Sequence, residues 1–183
     1  MTIEGKKRLV DGNAMFRKNV DPSVLSRLAK KQEPFVAILG CSDSRVPPSK
    51  VFNLGLGDAF VVRVAGSSAC DKSVIGSLEY AVKHLKVKVL VVLGHTDCGA
   101  VRAAMECCDI ESLEGVLGDI DAARSKVKGA STSDPDAIAE MNVRLQLRRV
   151  MDGSKVISDA VRDGRLEAYG VMYDLATGQI RFI

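Results

Sequence analysis

The sequence predicts an α/β fold, with a central, mostly parallel sheet of about four to five strands flanked by helices and an N-terminal helical arm. Short apolar runs alternate along the chain with segments of helical periodicity, as in sheets whose parallel strands are joined by helices. Two of the apolar runs end in a single glycine and then change abruptly to polar residues, which is typical of buried strands. At 183 residues the chain can form one substantial core, and we expect a single domain over residues 1–183.

Helical periodicity and capping residues place the individual elements. The arm is predicted over about residues 3–18, and Asp21 before Pro22 predicts a second short helix that ends near Lys31. The later predicted helices cover residues 71–85, 99–108, 134–151 and 155–162. The predicted strands cover residues 35–39, 59–64, 87–93 and 166–173, with residues 179–183 as a hairpin partner of the last.

Two connecting segments are less regular. Pro47 and Pro48 predict an extended turn, because each proline disfavours a helical conformation in the residue before it. Residues 109–133 have a weaker pattern and predict a mixture of helix and loop.

Composition argues against several classes of protein. The formal net charge is only +3 and the chain has five Phe, three Tyr and no Trp, so a nucleic-acid surface with stacking platforms is not expected. No apolar run reaches 18 residues and no apolar stretch follows the basic N-terminus, so we expect neither a membrane span nor a secretory signal. The odd number of cysteines, five, favours a reducing, cytoplasmic location over a disulfide framework.

Two polar motifs follow two of the predicted strands directly. The first reads Cys-Ser-Asp-Ser-Arg at residues 41–45, and the second reads His-Thr-Asp-Cys at residues 95–98. Since ligands bind beyond the carboxyl ends of parallel strands, we expect Cys41, His95 and Cys98 to lie in one crevice. Two thiolates and an imidazole are ligands of zinc, and three protein ligands leave one tetrahedral position free, as in catalytic sites.

Other interpretations of these residues are possible. Taken alone, His95 and Cys98 fit a hydrogen-bonded histidine beside a buried cysteine. Arg45 is spaced to hold Asp43 in a bidentate contact, which would lower the pKa of the carboxyl group, or the two form an ordinary surface ion pair. The position of this pair between an apolar strand and two prolines favours the first interpretation.

The two motifs together resemble those of the β-class carbonic anhydrases. The similarity extends over nearly the whole chain, with further matching stretches at residues 12–16, 57–66, 76–82, 142–143 and 173–178. The resemblance implies one zinc-dependent domain of this family, a zinc lyase that hydrates carbon dioxide reversibly to bicarbonate and a proton.

The resemblance also implies roles for the site residues. Zinc would be bound by Cys41, His95 and Cys98, and zinc-bound hydroxide would attack the substrate. Asp43 would orient the hydroxide, and Arg45 would keep Asp43 off the metal. When that contact breaks, Asp43 would become the fourth ligand and close the site, so we expect Asp43 to gate activity with pH.

As in the family, we expect a homodimer or a dimer-based higher oligomer. The apolar side of the arm, with Val10, Met15 and Phe16, would pack on a partner subunit, or else on the chain's own core. The small-molecule substrate is then the other expected partner, with neither nucleic acid nor membrane.

Among the positions that depart from the family pattern, two bear on the site or its regulation. Leu54 stands where many members have a Gln that contacts substrate from the dimer partner, and Ile38 stands where some bacterial members have a Trp of a regulatory bicarbonate site. The first departure keeps hydrolysis of carbonyl sulfide or carbon disulfide open as an alternative activity. A non-catalytic zinc module is a further alternative, although such a site has no use for the Asp43 and Arg45 pair.

Overall fold

The computed structural model describes residues 3–106, 109–129 and 133–183. The chain divides into two compact units, Met1–Gln32 and Glu33–Ile183. The predicted helical residues Cys107 and Cys108 lie outside the described residues.

The first unit consists of two helices, α1 (Ile3–Asn19) and α2 (Pro22–Leu28). The carboxylate of Asp21 accepts a hydrogen bond of 2.8 Å from the backbone N–H of Ser23, so Asp21 is the N-cap that the sequence predicts. Several large apolar side chains of α1 are exposed, namely Leu9, Val10, Met15 and Phe16.

The second unit is built around a five-stranded sheet with the order β2-β1-β3-β4-β5. The strands are β1 (Val36–Gly40), β2 (Ala59–Arg63), β3 (Val89–His95), β4 (Glu167–Tyr173) and β5 (Ile180–Phe182). Strands β1 to β4 all run parallel to one another, and β5 runs antiparallel to β4. The predicted α/β class, with a mostly parallel sheet and an N-terminal helical segment, is therefore confirmed.

Six helices accompany this sheet among the described residues. They are α3 (Pro48–Val51), α4 (Lys72–Lys83), α5 (Gly99–Met105), α6 (Glu114–Arg124), α7 (Pro135–Asp152) and α8 (Lys155–Arg162). The predicted extended turn at Pro47 and Pro48 is wrong in part. Pro47 is extended, but Pro48 occupies the first turn of α3, where its missing N–H costs no helical hydrogen bond.

The strands divide their side chains between two apolar clusters. On one face, Ala37 and Leu39 of β1 pack with buried residues of α4 to α8. On the other face, Val36 and Ile38 pack with Val51 of α3 and with the residues that follow it. This alternation is the period-2 pattern of a strand that is buried on both sides.

Helix α7 lies very close to the sheet where β3 ends. A Cβ atom added at Gly94 would stand 2.3 Å from a methyl carbon of Val143 and 3.0 Å from the sulfur of Met172. Only glycine fits there, so the close approach of α7 fixes the residue that precedes His95.

Candidate metal centre

Three buried side chains converge at one edge of the sheet. Cys41 directly follows β1, His95 is the last residue of β3, and Cys98 is the N-cap residue of α5. In the parallel register, Gly40 pairs with Leu93, so both strands end at the same edge. Their ligand atoms all lie within 4.8 Å of one another, and the three residues are only 4%, 1% and 4% exposed. This group could hold one metal ion.

The imidazole of His95 is oriented for such an ion. Its Nδ1 lies 2.8 Å from the backbone carbonyl oxygen of Thr96, an acceptor that requires the proton to be on Nδ1. The lone pair is then on Nε2, which is buried and has no hydrogen-bond partner among the described residues. A carbonyl that fixes the tautomer of a ligating histidine is a usual feature of metal sites.

The two thiols lie among backbone N–H groups. The backbone N–H of Asp43 donates to the sulfur of Cys41 at 3.5 Å. The N–H groups of Gly66, beside Cys41, and of Ala100 and Val101, beside Cys98, favour the thiolate forms. The pKa of Cys41 is lowered to about 4, chiefly by a hydrogen bond from the Cys98 thiol and against the effect of burial. The pKa of Cys98 is raised, first because its thiol donates a hydrogen bond to the Cys41 thiolate, then by burial, and then by the negative charge on Cys41. A bound cation would stabilise both thiolates.

Asp43 and Arg45 form a bidentate pair beside the three side chains. Arg45 donates from Nη2 to Oδ2 of Asp43 at 2.7 Å and from Nε to Oδ1 at 3.0 Å. These bonds lower the pKa of Asp43 to about 2, so the carboxylate is ionised. Its Oδ2 lies 3.9 Å from Nε2 of His95. The carboxylate therefore borders the space between the candidate ligands.

Sequence reasoning missed several residues that support this arrangement. Arg63 donates to the backbone carbonyl oxygens of Cys41 and Asp43, at 2.8 and 2.6 Å, and so braces the first motif. Asn142 of α7 donates to the carbonyl oxygen of Gly66 at 2.7 Å. Asn142 belongs to one of the stretches that resemble the family, but neither that match nor its place on the buried side of a helix reveals its partner.

Leu54 lies in a different part of the structure from the Cys41, His95 and Cys98 group. It lines an apolar cavity of about 300 Å³ together with Ile38, Phe35, Phe52 and Phe182, on the sheet face that α3 covers in part. It is not among the described residues that surround the Cys41, His95 and Cys98 group. In the part of the chain that the structure describes, no helix combines the length and apolar character needed to cross a bilayer.

Comparison with known proteins agrees with this geometry. Residues 36–180 match the family model described as carbonic anhydrase. Carbonic anhydrase 2 of Mycobacterium tuberculosis is 38% identical over 182 residues, which cover 96% of this chain and 86% of that protein. A carbonic anhydrase of Pseudomonas aeruginosa is 32% identical over 187 residues, which cover 94% of this chain and 84% of that protein.

Solved structures extend the similarity to the fold. A β-carbonic anhydrase of Aspergillus fumigatus superimposes with a TM-score of 0.87 at 28% identity, covering 98% of this chain and 90% of that one. A tetrameric β-carbonic anhydrase of Sordaria macrospora gives a TM-score of 0.85 at 28% identity, with coverage of 100% and 98%. On the family match, the sequence identity and the shared fold, this chain belongs to the β-class carbonic anhydrases.

Proposed function

We propose that this protein catalyses the reversible hydration of carbon dioxide to bicarbonate and a proton, with zinc held by Cys41, His95 and Cys98. One observation carries the proposal. The buried Nε2 of His95 lacks a hydrogen-bond partner among the described residues, and it lies beside two thiols and the ionised Asp43. The activity would make the protein a zinc lyase, in line with its carbonic anhydrase relatives.

The donor set fits zinc in its catalytic form. Two cysteines and one histidine leave a tetrahedral position open, whereas structural sites are closed by a fourth protein ligand. When bound, zinc supplies a water-derived nucleophile near neutral pH.

Asp43 and Arg45 would orient the attacking water and keep the fourth metal position open. Asp43 accepts a hydrogen bond from the attacking water and so orients it toward the substrate. Arg45 holds both carboxylate oxygens of Asp43 and keeps them from the metal position. If Arg45 releases them, Oδ2 is close enough to the ligand group to become a fourth ligand, which would close the site.

The decisive experiment measures zinc content and carbon dioxide hydration across pH for the wild type and Asp43→Ala. We expect zinc in both proteins, hydration in the wild type and a large loss of hydration in the variant. Asp159→Ala is the matched control, because Asp159 is also paired with cations but lies on α8. Wild-type protein that retains zinc and hydrates no carbon dioxide at any pH would overturn the proposal. Faster turnover of carbonyl sulfide in a parallel assay would replace it with the hydrolase alternative.

We also propose that the chain forms a homodimer or a dimer-based higher oligomer. Val10, Met15 and Phe16 are exposed on α1, and Tyr169 and Phe182 are exposed on the sheet. Contact with a partner subunit would remove these apolar side chains from water. Light scattering at micromolar concentration should report at least a dimer, and Met15→Asp with Phe16→Asp should shift it toward the monomer. A monomeric wild type would contradict the assembly.

A cytoplasmic location is proposed on the chemistry of the two ligand thiols. Cys41 and Cys98 are free, and their sulfur atoms lie within 4.8 Å of each other. An oxidising compartment would favour a disulfide between them and so destroy the ligand set. Fractionation of cells that express the full chain tests the location, and recovery outside the cytoplasm would contradict it.

A further inference from the structure

A second carboxylate contacts the guanidinium group that holds Asp43. Arg45 donates from Nη1 to Oδ2 of Asp97 at 3.1 Å and from Nη2 to the backbone carbonyl oxygen of Asp97 at 3.0 Å. The Nε and Nη2 of Arg45 also donate to the carboxylate of Asp43. All three guanidinium nitrogens therefore donate to one of these two aspartates.

Asp97 is itself held in place by two helices. Arg102 of α5 donates to its other carboxylate oxygen, Oδ1. Its backbone N–H donates to Oδ1 of Asp136, on α7, at 2.7 Å. Its φ of 53° is in the left-handed region, which Asp and Asn adopt more readily than most residues. This conformation presents both the carbonyl oxygen and Oδ2 to Arg45.

We propose that Asp97 is a positioning residue that fixes Arg45 in the orientation in which Arg45 retains Asp43. The inference rests on the proposed function for the zinc and for the substrate. Asp97 would act through Arg45, which it contacts directly.

The contact matters because the Arg45 side chain is 47% exposed. Water competes for a guanidinium at such a site, and an isolated pair of exposed charges is held weakly. Two acceptors on one planar group restrict its rotation more than either acceptor alone. With Asp97 in place, Arg45 cannot swing away from Asp43 without also losing its hydrogen bonds to Asp97.

The test uses Asp97→Asn in the zinc-loaded full chain. Asparagine tolerates the positive φ and keeps the carbonyl contact, but it removes the charge. The Nε–H resonance of Arg45, assigned by its loss in Arg45→Lys, should exchange with solvent about two- to fivefold faster, the range set by the loss of an exposed charge pair. The kcat for carbon dioxide hydration should fall with little change in KM and with full zinc content.

Asp159→Asn is the matched control, because its carboxylate is likewise shared by two cations, Lys155 and Arg162. The Asp159→Asn variant should leave the exchange rate of the Arg45 Nε–H with solvent unchanged. Asp97→Gly, which also adopts a positive φ, repeats the test if the asparagine variant fails to fold. An Arg45 Nε–H exchange rate that stays at the wild-type value in a folded Asp97 variant overturns the inference. A wild type without hydration activity would overturn the proposed function, while the exchange rate would still decide the role of Asp97.

Discussion

Oδ2 of Asp43 lies 3.9 Å from Nε2 of His95, a buried nitrogen with no hydrogen-bond partner among the described residues. A buried polar atom without a partner costs about 1–3 kcal/mol. A cation between the two thiols and this nitrogen would remove that cost. The stability of the site would therefore depend on the metal that it binds.

Replacing His95 with Ala should abolish tight zinc binding. Loss of groups that only support metal ligands costs about 10- to 100-fold in affinity, so loss of a ligand should cost more than about 100-fold. Zinc content after dialysis against a competing chelator measures the effect. Cys70→Ser is the control, because Cys70 is free but exposed. Equal zinc content in the two variants would remove His95 from the ligand set.

Replacing Arg45 with Lys should reduce hydration while zinc stays bound. Lysine keeps the charge but cannot contact both carboxylate oxygens of Asp43 in the planar geometry of Arg45. We expect a loss of about 100-fold in kcat, the scale of a misplaced catalytic group. Steady-state hydration assays at matched zinc content measure it. Wild-type kcat in this variant would show that the bidentate contact is dispensable.

Replacing Asn142 with Ala should weaken both the fold and the metal site. Asn142 donates to the carbonyl oxygen of Gly66, and the backbone N–H of Gly66 helps to lower the pKa of Cys41. The buried amide also accepts a hydrogen bond from Gln146. We expect a loss of about 1–3 kcal/mol in the free energy of unfolding and about 10-fold in zinc affinity.

Gln146→Ala separates the two effects of the previous variant. Gln146 accepts from the backbone N–H of Ala69 at 2.9 Å, and no hydrogen bond joins it to Gly66 among the described residues. This variant should lose stability in urea denaturation and retain more of its zinc affinity. Equal zinc affinities for the two variants would mean that the Gly66 contact has no separate effect.

Replacing Gly94 with Ala should destabilise the protein by about 1–3 kcal/mol, the usual cost of overpacking. The new methyl group would collide with Val143 of α7, and the displaced helix would disturb the end of β3. Val143→Ala in the same chain removes the nearest methyl groups and should recover part of the loss. Chemical denaturation of both single variants and the double variant measures the coupling. If the losses of unfolding free energy in the two single variants simply add in the double variant, the collision is contradicted.

Stability should also fall with pH through Glu140. The pKa of its carboxyl group is lowered from the ordinary 4.5, first by the hydrogen bond from Arg181 and then by that from Arg144. A carboxyl group with a lowered pKa in the folded protein stabilises it above the unfolded pKa, and this contribution is lost as pH falls through the folded value.

Glu140→Gln isolates this contribution. Below pH 4.5 the variant should lose less stability than the wild type, by up to about 1 kcal/mol. Thermal unfolding from neutral to acidic pH measures the difference between the two proteins. Parallel stability curves would show that Glu140 makes no pH-dependent contribution.

The sequence was sufficient for the elements whose signal is local. Alternating apolar runs and helical segments predict the sheet, and Asp21 and Asp134 both cap helices as their positions before proline suggest. Cys41 and His95 could be brought together because residues at the ends of parallel strands share one edge.

Other features depend on packing between distant segments. Pro48 starts a helix because the chain after Arg45 turns back against the sheet, which the two prolines alone do not reveal. The hydrogen bond from Asn142 to Gly66 joins a helix to a loop 76 residues away. The contact between Asp97 and Arg45 likewise depends on the left-handed turn at Asp97, which an aspartate does not signal by itself.

The pairing of β1 with β3 has a consequence for how the protein would acquire the proposed zinc. Cys41 stands at the end of one strand and His95 at the end of its neighbour, with Gly40 opposite Leu93. In the unfolded chain Cys41 is far in sequence from His95 and Cys98, so only the latter two would bind an ion together. Binding of one ion by all three residues would therefore require the two strands to pair first. Tight zinc binding by a newly made chain would therefore indicate that β1 and β3 have already paired.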